Sequence, residues 1–154
     1  MRGYYLPLIA GVALVASTFL PWVIIGDTVL RGMPNVPALW VAGLGVIAVV
    51  LAALSIITRK NSRHPLLVVG LAALGILVLS GRVLPRSMGE RAASLAQAAE
   101  IVEGTPPAAT PDGVVGAGIY IGAVAAAVIA LFGLTIVVKR VAQPYAVATT
   151  DDDV

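Results

Sequence analysis

The chain has no cysteine and only one histidine among its 154 residues. Disulfides, thiol redox chemistry, thiolate metal sites and a bis-histidine haem within one chain are therefore excluded. Charge is scarce as well. Asp, Glu, Lys and Arg make up 12% of the residues, with ten basic against eight acidic side chains and a formal net charge of +2. The basic residues are scattered and leave no footprint for nucleic acid. Where charge is missing matters more than how little there is. Four long stretches hold no Asp, Glu, Lys, Arg or His in their interiors, and Ser17, Thr18, Ser55, Ser80 and Thr135 are among their few polar side chains. A proton relay or ion-coupled carrier normally needs an ionisable group at depth. Catalysis and coupled transport therefore rank low, and the expectation is a non-enzymatic chain with no catalytic residue, no cofactor and no metal.

What the chain has in abundance is apolar surface. At 59% hydrophobic residues and a mean hydropathy of +0.99, it is too apolar for an ordinary soluble domain and belongs in a bilayer. Residues 4–26 form the first uncharged run long enough for the about 20 residues that a hydrocarbon core requires. Tyr4 and Tyr5 at one end and Trp22 at the other match the aromatic belts at the headgroup levels. Arg2, the apolar run and Ala16 also fit the three regions of a cleaved signal peptide, although the apolar run continues past any such cut. Runs over 38–58, 65–84 and 114–138 supply three more spans. The expected fold is an all-α integral membrane protein, a four-transmembrane-helix bundle over residues 1–140, with a disordered cytoplasmic tail over 141–154 ending in Asp151, Asp152, Asp153 and Val154.

Orientation follows from the basic residues near the span ends. Arg2, the turn with Arg59, Lys60 and Arg63, and the pair Lys139-Arg140 all fall on one side of a four-span chain. That side is expected to be cytoplasmic, with both termini inside. Basic charge carried chiefly by Arg and an abundance of Ala, Val and Gly hint at a high-GC bacterial genome, hence at the bacterial cytoplasmic membrane.

The stretch from Arg82 to Gly116 is the part suited to water. Ser87-Met88-Gly89-Glu90 has the spacing of a capping box, predicting the start of an extracytoplasmic helix over 88–103 between spans three and four. Met88, Ala92, Leu95, Ala99 and Val102 share one face at steps of four, three, four and three. Gly104 stands where a left-handed C-cap is wanted, and prolines at 106, 107 and 111 stiffen the return. This helix is a candidate docking element through its Ala-rich face. In the last span Gly118, Gly122, Ala126 and Ala130 recur every four residues, a spacing that lets helix backbones approach closely. They can dock a partner helix or pack inside the protein's own bundle. Arg82 lies at the rim of the third span, where it either snorkels to the headgroups or pairs with Asp27 at the same height. His64 is expected to be a solvated interface residue, not a ligand.

Phe19-Leu20-Pro21-Trp22-Val23, at the end of the first span, resembles the pattern of small actinobacterial four-span membrane proteins of unassigned function. In those a Leu-Pro-Trp exit leads to a short outer loop and a second span, and the resemblance covers residues 4–84. It implies an accessory part of a larger membrane assembly. Three other four-span groups do not fit: small multidrug exporters carry a Glu in their first helix, and disulfide and quinone enzymes and claudin-like proteins carry cysteines. The expected function is a structural, accessory or assembly subunit whose partners are the lipid bilayer and other membrane subunits or further copies of itself. The alternative is a homo-oligomeric pore or a lipid-handling protein.

Overall fold

The computed structural model describes residues 2–58, 62–104 and 112–141, with the backbone alone for 136–141, Arg2 and Glu103. The return over 105–111 and the tail from 142 onward lie outside the described residues. The fold is mostly helical. A 3-10 turn at Arg2–Tyr4 leads into α1 (Tyr5–Ser17), and α2 (Val36–Thr58), α3 (Arg63–Glu103) and α4 (Ala117–Val141) follow. The last three are long and apolar enough to cross a membrane, and α1, at 13 residues, is shorter. Each helix packs on the next in sequence, and α4 closes the ring against α1. Leu14, Val41, Leu66, Leu77 and Ile129 fill the centre. The outward faces stay apolar, with Ile9, Val50, Leu71, Val124 and Leu131 all exposed, as a surface that meets hydrocarbon requires. Trp40 and Tyr120, exposed near the starts of α2 and α4, lie at the end of the bundle that carries the sheet.

The expected continuous first span over 4–26 is corrected by the structure. The helix stops at Ser17, and strands β1 (Pro21–Ile25) and β2 (Thr28–Arg31) form a hairpin in its place. Ser17 and Thr18 turn their hydroxyls back to donate to the carbonyls of Leu14 (2.6 Å) and Val15 (2.7 Å), a local bond that competes with helix continuation. Pro21 has no amide to give and biases Leu20 away from helical geometry. Val23, Ile24 and Ile25 then favour an extended chain through their β-branches, and Gly26 turns it at φ 55°. A third strand, β3 (Gly113–Val115), pairs antiparallel on the other edge of β1, matching Val23 to Val115 and Ile25 to Gly113. β1 is thus the central strand. Consequently α4 begins at Ala117, three residues later than the apolar run suggests.

The second correction concerns the outer helix. No helix starts at Ser87, because α3 runs unbroken for 41 residues through Pro85. The Ser87 hydroxyl donates to the Leu84 carbonyl one turn back, at 3.2 Å, and caps nothing. An internal proline forfeits one helical bond. Here Pro85 is buried, and its backbone lies so close to Gly113 that no Cβ would fit there. Sheet packing thus holds the helix together across the proline. At 1.5 Å per residue α3 is about 62 Å long, twice the roughly 30 Å of a hydrocarbon core. Its stop is as expected: Gly104 takes the left-handed conformation, φ 64°, and its amide bonds the Glu100 carbonyl at 2.9 Å.

Candidate functional site

Trp22 joins the sheet to the bundle. It is 1% exposed, and its indole Nε1–H donates to the Ser17 carbonyl at 3.0 Å. Glycines make room for it. A Cβ on Gly32 would lie 2.6 Å from the indole, and one on Gly118 would lie 2.7 Å from Trp22 Cδ1 and 2.8 Å from the Ser17 carbonyl. A Cβ on Gly122 would likewise meet Ser17 Oγ at 2.8 Å and the Leu77 methyls. Gly118, Gly122, Ala126 and Ala130 are therefore all buried, packed within this chain's own bundle. Ala126 and Ala130 face Gly70 of α3, whose Cβ would meet the Ala130 amide nitrogen at 2.5 Å. Their spacing brings α1, α3 and α4 together.

The remainder of α3 beyond Pro85 is different. Of the predicted apolar face, Met88 and Ala92 are half-buried, while Leu95 is 71% exposed, Ala99 is exposed and Val102 is 83% exposed. Ile101, which the spacing did not single out, is 85% exposed. No described element covers these side chains. The signal that marks Ile101 is its position in the last turn of the helix, three residues before the Gly104 C-cap and next to Val102.

Between the two lies a polar cleft of about 500 Å³, bounded by Arg82, Pro85, Arg86 and Glu90 of α3 and by Asp112 and Gly113 at the entry to β3. Arg86 and Glu90, four residues apart, form an exposed ion pair at 3.5 Å. Arg82 and Asp27 are both exposed, and among the described residues no ion pair joins them. Arg82 faces this cleft. No sequence motif marks Asp112; what places it here is Gly113, the next residue, which touches the Pro85 backbone of α3. No family model matches the chain, and no curated protein or solved structure matches it.

Two further features lie away from this cleft. An apolar groove of about 470 Å³ runs between α1 and α4, lined by Leu6, Ile9, Ala13, Tyr120, Val124 and Val128 among others. At the opposite end of the bundle from the sheet, Tyr4 and Phe132 pack edge to face with ring centroids 5.1 Å apart, and the Arg63 guanidinium lies 5.5 Å from the Phe132 centroid. The Tyr4 hydroxyl accepts the Ser62 amide at 3.3 Å. His64 is exposed.

Proposed function

We propose that this chain is a non-enzymatic four-span protein of the bacterial cytoplasmic membrane that serves as an assembly subunit of a larger membrane complex, docking through the part of α3 that outruns the bundle. The observation that carries this is the exposure of Leu95, Ile101 and Val102, at 71%, 85% and 83%, on a helix end otherwise rich in small residues. Apolar side chains on an exposed helix end cost free energy in water until a partner covers them. Native protein extracted in mild detergent is expected to bring a partner with it, and Leu95→Ser with Val102→Ser is expected to release that partner without lowering the melting temperature. Recovery of the wild-type chain alone and monomeric would refute the proposal.

Four crossings are compatible with a 13-residue α1. That helix supplies about 20 Å and the five residues of β1 about 17 Å, together more than the roughly 30 Å of a hydrocarbon core. The turn around Ser62 and both termini then face the cytoplasm, following the positive charges. In this cysteine-free chain, an impermeant thiol reagent on intact cells should label Gln97→Cys and spare Ser62→Cys, and the opposite pattern would invert the topology.

A second role, a homo-oligomeric lipid-handling protein, is favoured by the α1–α4 groove. Lipid exchange between vesicles by the reconstituted protein would support it, and rates equal to those of empty vesicles would dismiss it.

A further inference from the structure

The polar cleft has no part in that docking role, and its chemistry differs from that of the exposed helix end. We propose that the cleft between α3 and β3 binds the headgroup of a zwitterionic phospholipid with a primary ammonium, a phosphoethanolamine. The inference rests on α3 crossing a bilayer, and not on what the far end of α3 docks.

Three observations converge. The first is height. The chain from Pro65 to Gly81 is uncharged and Arg82 is the next residue, so in a membrane-crossing α3 the cleft opens at the level of the headgroups. The second is charge. Two arginines, Arg82 and Arg86, face two carboxylates, Glu90 and Asp112, a neutral set that suits a ligand carrying one charge of each sign. A site for an anionic lipid would instead carry a net positive lining. Arg86 and Glu90 engage each other, and among the described residues Arg82 and Asp112 have no ion-pair partner. The third is placement. Asp112 precedes Gly113, which is held in register with Ile25 and lies against the Pro85 backbone. The carboxylate is therefore presented from a strand and the guanidinium from a helix, on opposite walls of one cleft.

A lipid phosphate then takes the Arg82 guanidinium, whose planar donors suit phosphate oxygens, and the ammonium takes the Asp112 carboxylate. A primary ammonium gives that carboxylate charge-assisted hydrogen bonds. A trimethylammonium has no hydrogen to give, so the cleft discriminates ethanolamine from choline headgroups.

The test is native mass spectrometry of the delipidated full chain in detergent, titrated separately with phosphatidylethanolamine, phosphatidylcholine and phosphatidylglycerol of the same acyl composition. The expected result is preferential binding of the ethanolamine lipid by roughly tenfold over choline, the size of one charged hydrogen bond. Arg82→Gln should lower affinity for all three lipids, and Asp112→Asn should abolish only the preference for ethanolamine over choline. Both side chains are solvent-exposed, so far-ultraviolet circular dichroism should be unchanged. Glycerophosphoethanolamine, the same headgroup without acyl chains, should fail to displace the lipid at equal concentration. Equal affinity for the three lipids in the wild-type chain would overturn the proposal and leave Arg82 as a snorkelling side chain. Tighter binding of phosphatidylglycerol would overturn it in favour of a simple anion site, and displacement by the soluble headgroup would overturn its assignment to lipid. Leu95→Ser with Val102→Ser should keep the lipid preference, so the docking role and this site can fail separately.

Discussion

The packing of α3 on α4 can be tested with two glycines of the same helix. At Gly70 an added Cβ would lie 2.5 Å from the Ala130 amide nitrogen, 2.9 Å from its Cα and 3.0 Å from the Ala126 carbonyl oxygen. All three are backbone atoms, which cannot rotate away. Non-bonded carbon contacts settle at about 3.5–4.0 Å, so Gly70→Ala must move one helix by roughly 1 Å. At Gly75 an added Cβ meets nothing within 4 Å. Both changes gain the same helix propensity, about 0.8–1 kcal/mol in water. The difference between them therefore isolates the collision. Overpacking of a tight site costs about 1–3 kcal/mol, and that is the predicted gap, with Gly75→Ala neutral or stabilising and Gly70→Ala destabilising. Reversible unfolding in mixed micelles, followed by circular dichroism, measures both. Equal stabilities would mean that α3 and α4 do not approach this closely, and the bundle described here would be wrong.

Two more perturbations separate competing accounts. Ser87→Ala should change stability by less than about 0.5 kcal/mol, because its hydroxyl returns to the Leu84 carbonyl inside a continuous helix; loss of a true N-cap would cost about 1 kcal/mol. Trp22→Phe should cost about 1 kcal/mol for the indole hydrogen bond plus the void of a smaller ring, since the Ser17 carbonyl keeps the Leu20 amide at 3.3 Å. Trp22→Ala should cost about 3–5 kcal/mol, and thermal melts that rank the two variants equally would remove Trp22 from its place at the join between sheet and bundle.

The apolar runs, the left-handed stop at Gly104 and the helices beginning near Ala38 and Pro65 were all legible in the linear chain, because length, hydropathy and a glycine cap are local properties. The hairpin has its own local signal: Val23-Ile24-Ile25 and Thr28-Val29-Leu30 flank a two-residue Gly26-Asp27 link, a recognised hairpin pattern. An uninterrupted apolar run conceals it, since hydropathy alone does not separate a buried strand from the end of a spanning helix.

What the chain by itself determined was its apolar character, its lack of intramembrane ionisable groups, and the small-residue periodicity of its last long helix. Only the tertiary structure decided how these were used. Whether Gly118 and Gly122 meet a stranger or their own bundle depends on where Trp22 and Ser17 lie, about a hundred residues earlier in the chain. Whether Pro85 breaks α3 depends on the sheet packed against it, since a proline's local cost can be outweighed by contacts that no local pattern contains. And that Asp112 comes to line the same cleft as Arg82 depends on the register of β3 on β1, which sets Gly113 opposite Ile25, a pairing between residues far apart in sequence that no local pattern contains.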